Sequence, residues 1–132
     1  MEFHDQDHIS NFRKERKELM DLMMERADIS MKRFLHLDSA VYGEGALPRK
    51  TKELLGLVSS TVLRCDDCIN YHLDTCWKED VTDQELVEAL DIALVVGGSI
   101  TIPHIRRALR TWEELKESNR EYQDRPDAPS SS

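Results

Sequence analysis

The chain has 132 residues, enough for one domain with a modest core, since 39% of them are apolar. Charged residues make up 33% and the net charge is −8, which disfavours nucleic acid and an anionic membrane surface as partners. The longest apolar stretch, residues 92–96, is too short to span a bilayer, and the amino terminus lacks the basic and apolar regions of a signal peptide.

An N-terminal helical segment is predicted over residues 1–40. Apolar residues at helical spacing, beginning with Ile9, Phe12 and Leu19, predict a first helix. Residues 30–37 are expected to form a shorter second helix.

A loop follows, and with it begins the main helical domain, predicted over residues 41–118. Gly43 and Gly45 favour a loop. Pro48 suits the first turn of the next helix, whose apolar residues continue to about Arg64.

Three further helices complete the predicted domain. Asp66 and Asp67 are typical of a helix start, and residues 82–85 form a capping-box pattern ahead of another helix. The pair Gly97-Gly98 ends that helix, and Pro103 opens the last one.

The fold class predicted from these elements is all-α, because no segment shows the sustained alternation of a strand. Residues 119–132 are polar and contain proline, and they are predicted to form a disordered tail.

The most informative pattern is Cys65-x-x-Cys68-x-x-x-His72. Side chains three and four residues apart lie on one face of a helix. Two cysteines at this spacing can close a disulfide across the first turn, where free N–H groups and the helix dipole stabilise a thiolate. A histidine one turn further on can take a proton, so the pattern predicts a thiol–disulfide exchange centre. A cytoplasmic location is expected, where cysteines in a short chain are more often catalytic or metal-binding than structural.

Two other interpretations of the cysteines remain open. Zinc bound by Cys65, Cys68, His72 and Cys76 is disfavoured, because ligands spread over roughly 16 Å of one helix cannot all reach a metal with bonds of about 2.0–2.3 Å. Burial of the cysteines as plain core residues is disfavoured by the two aspartates between them. No metal and no organic cofactor is predicted for this site.

The aspartates between the cysteines oppose thiolate formation, so a nearby base is needed. His72 is one candidate, and Glu53 on the preceding helix is another, although composition alone does not distinguish Glu53 from a solvated surface charge. His72 lies at contact spacing from Cys68 and two turns from Cys65, which favours Cys68 as the nucleophile. The helix dipole has the opposite effect and favours Cys65.

Several other residues have simpler expected roles. Cys76 is expected to be packed, and Trp77 and Trp112 to anchor the core or a subunit contact. His104 is expected to cap or pack beside Pro103.

The candidate site residues form the pattern Glu-x(11)-Cys-x-x-Cys-x-x-x-His: Glu53, Cys65, Cys68 and His72. With the run Glu53-Leu54-Leu55-Gly56-Leu57 before the cysteines, and Gly97-Gly98 and Pro103-His104 after them, this pattern resembles the carboxymuconolactone decarboxylase superfamily. More narrowly it resembles the AhpD-like alkylhydroperoxidase branch, over residues 47–115. It departs from that branch at Asp67, where well-known members have a second histidine.

This resemblance implies an all-helical domain that assembles into trimers or hexamers. It also implies a proton relay from Glu53 through His72 to the cysteine pair. Cys68 would be the attacking cysteine, passing through a sulfenic acid or a mixed disulfide, and Cys65 the proton donor and resolving partner.

The function implied is that of a thiol-dependent antioxidant oxidoreductase. It would reduce a peroxide or the disulfide of a peroxiredoxin-type partner, with a dithiol as electron donor. The alternatives are a lactone decarboxylase or related acid–base enzyme that uses Glu53 and His72, and a non-catalytic oligomeric binding module.

Overall fold

The structure, a computed structural model, describes residues 8–123, with side chains described to residue 118. This part of the chain forms six α-helices and a short 3-10 turn, without a strand, which confirms the all-α prediction. Residues 1–7 of the predicted N-terminal segment and residues 124–132 of the predicted tail lie outside the described residues. In chain order the elements are α1 (His8–Arg26), α2 (Ile29–Val41), α3 (Arg49–Val62), α4 (Asp66–Lys78), α5 (Asp83–Gly97), the 3-10 turn (Ser99–Thr101) and α6 (Ile102–Gln123).

Two helices extend beyond their predicted ends. α2 continues to Val41 because no glycine or proline interrupts it before Gly43. α6 continues to Gln123, into residues that were predicted as tail, because residues 119–123 also contain neither glycine nor proline. None of the described helices is long and apolar enough to cross a bilayer.

The local signals at the other helix ends are confirmed. Pro48 is the N-cap of α3, and Gly97 is the last residue of α5. Thr82 and Glu85 form the predicted capping box, in which each side chain accepts a hydrogen bond from the backbone N–H of the other residue, at 3.1 and 2.9 Å.

The core lies among α3, α4, α5 and α6, where α3 packs against α4 and α5, and α4 packs against α6. Trp112 is buried in this core and meets Trp77 edge-on, with ring centroids 5.3 Å apart. The core side chains from these four helices include Leu57, Ile69, Leu73, Leu86, Leu90, Trp112 and Leu115.

The first turn of α1 is anchored to this core. Ile9 is fully buried, and the buried carboxylate of Glu114 on α6 accepts hydrogen bonds from the backbone N–H groups of His8 and Ile9, at 3.2 and 3.1 Å. A carboxylate at this position satisfies N–H groups that a helix start leaves without partners. The first turn of α1 therefore lies against α6, and the rest of α1 extends beside α4.

α2 has few contacts with the other described helices, and within the described chain none of its residues is buried. Its apolar side chains are instead exposed, with Phe34 at 67% the most accessible of them. The exposed set is Ile29, Met31, Phe34, Leu37 and Val41.

α3 and α4 both end in a Schellman motif with a non-glycine residue at the left-handed position. After α3 that residue is Arg64, with φ of 60°, and the backbone N–H of Cys65 returns to the carbonyl of Ser60 at 3.1 Å. After α4 it is Asp80, also with φ of 60°. The motif after α3 fixes the backbone that leads into the cysteine pair.

Candidate active site around the cysteine pair

Cys65 and Cys68 lie at the start of α4. Cys65 is the N-cap, and its Sγ accepts a hydrogen bond from the backbone N–H of Cys68 at 3.3 Å. The two sulfurs are joined as a disulfide, with their Cα atoms 5.3 Å apart. Cys68 is exposed, whereas Cys65 is half-buried.

Glu53 and His72 meet inside the domain, although 19 residues separate them in sequence. Nδ1 of His72 lies 2.9 Å from Oε2 of Glu53, and the Thr75 hydroxyl donates to the same oxygen at 2.6 Å. Both partners are buried, Glu53 being 3% and His72 7% exposed. The resemblance linked these two residues, and the structure brings them together.

The charge state of Glu53 follows from its surroundings. Burial by itself raises the pKa of this carboxyl, but the hydrogen bonds from His72 and Thr75 outweigh it and hold the pKa below its usual value. Glu53 is therefore ionised at neutral pH and accepts the proton that Nδ1 of His72 donates. This leaves Nε2 as the basic nitrogen of His72.

Tyr42 and Gly56 complete the surroundings of the His72 ring. The Tyr42 hydroxyl lies 3.5 Å from Nε2. Gly56 of α3 lies directly behind the ring, so closely that a Cβ there would be 2.5 Å from Cε1 of His72 and 2.8 Å from the Tyr42 hydroxyl. Neither Tyr42 nor Thr75 was predicted to belong to the site. Tyr42 lies 30 residues from His72 in sequence, so no local pattern relates the two. Thr75 lies three residues after His72 on α4, a helical spacing that could have indicated it.

Cys68 and His72 open on the same cavity, which has a volume of about 480 Å³. Its opposite wall comes from α1 and is largely apolar, with Arg16 placed 4.3 Å above the ring of Tyr71. Cys65 does not line this cavity. The lining residues are Phe12, Glu15, Arg16, Leu19, Met20, Met23, Asp38, Asp67, Cys68, Tyr71 and His72.

A second, more polar cavity of about 240 Å³ is lined by Glu53, Tyr42 and Thr75 among others. His72 thus lines the first cavity and Glu53 the second.

The two aspartates between the cysteines have different environments. Asp66 is bound by two side chains of α6: Nδ1 of His104 lies 2.7 Å from Oδ1, and Nε of Arg107 donates to Oδ2 at 3.0 Å. Asp67 is exposed and lines the Cys68 cavity. His104, expected to cap or pack beside Pro103, is instead a hydrogen-bond partner of Asp66 in the cysteine turn.

Cys76 is packed in the core, as predicted, with no exposed surface. Burial, with a smaller contribution from the charges of Glu53 and Glu79, raises the pKa of its thiol to about 12. Cys76 is therefore a neutral thiol at physiological pH. Among the described residues, no three His, Cys, Asp or Glu side chains are grouped to hold a metal ion.

Comparison with known proteins shows similarity over most of the chain. Residues 30–111 match the family model described as "Carboxymuconolactone decarboxylase family". A crystal structure from Thermotoga maritima is 58% identical, with a TM-score of 0.82, and covers 84% of this chain and 97% of that one. A second crystal structure from that organism, also 58% identical with a TM-score of 0.80, covers 84% and 94%; it is described as a protein of the same family with a suggested part in the antioxidative response.

More distant relatives are also similar to this chain. A carboxymuconolactone decarboxylase family protein of Legionella pneumophila is 29% identical, with a TM-score of 0.77, and covers 85% of this chain and 98% of its own. An uncharacterised protein of the cox locus of Paracoccus denitrificans is 29% identical over 82 residues, which are 62% of this chain and 74% of that protein. An uncharacterised protein of Cupriavidus necator is 28% identical over 86 residues, 65% of this chain and 76% of its own.

Proposed function

Because the chain belongs to the carboxymuconolactone decarboxylase family, we propose that it is a thiol-dependent antioxidant oxidoreductase of the AhpD-like type. The observation that carries this proposal is the opening of Cys68 and His72 on one cavity, with Cys65 bonded to Cys68 behind it. The suggested antioxidative role of the Thermotoga maritima relative supports it. The substrate is a peroxide or the disulfide of a peroxiredoxin-type partner, and the location is the cytoplasm.

The first step takes place at Cys68. Nε2 of His72 accepts the thiol proton, and the thiolate attacks the terminal oxygen of the peroxide. The O–O bond breaks, the alkoxide leaves with the proton from His72 as an alcohol, and Cys68 becomes a sulfenic acid. Ionised Glu53 stabilises the imidazolium that exists between these proton transfers.

The second step returns the pair to the disulfide seen in the structure. The Cys65 thiolate attacks the sulfur of Cys68 and displaces hydroxide, which leaves as water after protonation. An external dithiol then reduces the disulfide and is itself oxidised. A partner disulfide follows the same route, with a mixed disulfide at Cys68 in place of the sulfenic acid.

Separate replacement of the cysteines tests this proposal. After peroxide treatment, Cys65→Ser should accumulate a sulfenic acid at Cys68 that dimedone traps, and Cys68→Ser should react at least 100-fold more slowly, since it lacks the thiol next to the base. Mass spectrometry of the labelled peptides is the measurement. Cys76→Ser is the matched control and should behave as the wild type.

Other outcomes identify the alternatives. Equal labelling of Cys65 in Cys68→Ser and of Cys68 in Cys65→Ser would show that the roles are assigned wrongly. Lactone decarboxylation that survives Cys68→Ser and is lost in Glu53→Gln would identify an acid–base enzyme. If the wild type turns over no peroxide, disulfide or lactone, the remaining alternative is a non-catalytic binding module.

A further inference from the structure

Asp66 brings a negative charge into the first turn of α4, directly between the two cysteines. Its carboxylate is bound by His104 at 2.7 Å and by Arg107 at 3.0 Å, and Arg107 also lies 3.3 Å from His104. Burial raises the pKa of Asp66, but the hydrogen bond from His104 and the charge of Arg107 outweigh it, so the pKa lies below its usual value. Asp66 is thus ionised at neutral pH and paired with α6.

We propose that His104 and Arg107 are positioning residues of the cysteine pair, which act through Asp66 and do not touch the reacting atoms. They hold the first turn of α4 against α6, and they offset a carboxylate charge that would otherwise disfavour a thiolate at Cys68 or Cys65. This inference rests on the proposed thiol chemistry and adds to it the residues that position the two cysteines and favour their thiolate form.

The mechanical part of the role concerns the reduced protein. In the disulfide form the sulfur–sulfur bond itself links Cys65 to Cys68. Reduction removes this link and leaves the hydrogen bond from the Cys68 N–H to Sγ of Cys65. The ion pair of Asp66 with Arg107 does not depend on the redox state, so it keeps the turn in place when the thiols are free.

The electrostatic part follows from charge. An ionised carboxylate next to a thiol raises the pKa of that thiol, and a guanidinium, which stays protonated at all relevant pH values, opposes this effect. The other charged or titratable side chains that line the Cys68 cavity are Glu15 and Arg16 of α1, Asp38 of α2, and Asp67, Tyr71 and His72 of α4. Arg64, which precedes Cys65 in sequence, is exposed. None of these side chains binds Asp66. Its charge is therefore offset by His104 and Arg107 of α6.

The test is the pH profile of alkylation of Cys68 by iodoacetamide in the reduced protein, followed by peptide mass spectrometry. Arg107→Gln should move the midpoint up by about half a pH unit, so that alkylation near neutral pH slows about threefold. Arg107→Lys, which keeps the charge, should restore the wild-type midpoint. Arg106→Gln is the matched control, since it removes the same charge from the neighbouring exposed position and should leave the midpoint in place.

Asp66→Asn provides an independent test of the same inference. It should move the midpoint down, and Asp66→Asn combined with Arg107→Gln should return it close to the wild-type value. Hydrogen exchange at the Cys68 and Ile69 amides should speed up in reduced Asp66→Asn and stay unchanged in its disulfide form. The single variant Asp66→Asn remains informative if Arg107→Gln fails to fold.

Two results would overturn the inference: an Arg107→Gln profile that superposes on those of the wild type and Arg106→Gln, or an Asp66→Asn midpoint that does not fall. Alkylation needs no peroxide, so these results are separate from the failure of the proposed function. A protein without peroxide or disulfide turnover could still show the predicted shifts.

Discussion

Cys65 has two structural tasks, because it completes the turn after α3 and caps α4. Its N–H binds the carbonyl of Ser60 at 3.1 Å, its carbonyl accepts the N–H of Ile69 at 2.9 Å, and its sulfur accepts the N–H of Cys68. The first two bonds involve the backbone alone. Neither of these two bonds requires the sulfur to be bonded to Cys68.

At the scale of single residues, Gly56 leads to a specific prediction. In Gly56→Ala the new Cβ would overlap His72 and the Tyr42 hydroxyl, with distances of 2.5 and 2.8 Å to the nearest atoms, so the imidazole must move. Displacement of a catalytic group by about 1 Å can cost about 100-fold in rate. We expect Cys68 oxidation by peroxide to slow by about that factor.

The control for this change is Ser59→Ala, which places the same side chain at an exposed position of the same helix. It should leave the rate of Cys68 oxidation unchanged. Both variants should give wild-type helical circular dichroism, since alanine favours a helix. A Gly56→Ala protein that reacts at the wild-type rate would show that His72 tolerates displacement or takes no part.

The sequence identified residues of the site that share a helix or a family pattern. Cys65, Cys68 and His72 follow from helical spacing, and Glu53 from the resemblance. Tyr42 and Arg107 were not identified, because their contacts join positions 30 and 41 residues apart and depend on how α2, α4 and α6 pack. No local periodicity encodes such a contact.

At the scale of helices, the helix ends that carry a local chemical signal lie where the sequence predicted them. The capping box of α5 and its terminal glycine are where the sequence placed them. α2 runs longer than predicted. α6 does so because the change to polar residues after Ser118 predicted its end, although no residue there forbids helical geometry. Polar residues are ordinary on an exposed helix face.

The left-handed residue that ends α4 leads to a prediction about stability. Asp80 has φ of 60°, a conformation that costs an L residue free energy and costs glycine little. Part of the gain is lost because glycine makes the unfolded chain more flexible. Asp80→Gly should raise the free energy of unfolding by about 0.5 kcal/mol, measured by urea denaturation.

Asp80→Ala separates backbone conformation from loss of the carboxylate. Alanine disfavours the left-handed conformation at least as much as aspartate does, so this variant should be no more stable than the wild type. An equal gain from alanine and glycine would mean that removal of the charge, not φ, is responsible.

At the scale of the whole molecule, the main unexplained feature is apolar surface. α2 exposes five apolar side chains, and a second exposed set includes Val95 at 84%, Leu63 at 76% and Val96 at 67%. Exposed apolar side chains in this number commonly mark a contact with another protein. We expect copies of the chain to cover it, in the trimer or hexamer that the family resemblance implies.

Phe34→Glu tests this expectation, because it places a charge in the exposed apolar row of α2. Light scattering at micromolar concentration should give an oligomer for the wild type and a smaller species for Phe34→Glu. His36→Glu, two residues away and therefore on the opposite side of the helix, should keep the wild-type mass. A wild-type monomer under these conditions would contradict the expectation.

The sparse contacts of α2 with its own chain also have a thermodynamic consequence. A helix of 13 residues is only marginally stable in water without packing. Few contacts within a single chain therefore stabilise α2. If other copies supply that packing, the stability of α2 follows the law of mass action, while that of the α3–α6 core is a property of one chain. Dilution should then unwind α2 first, and the loss of a modest part of the helical signal would precede any unfolding of the core.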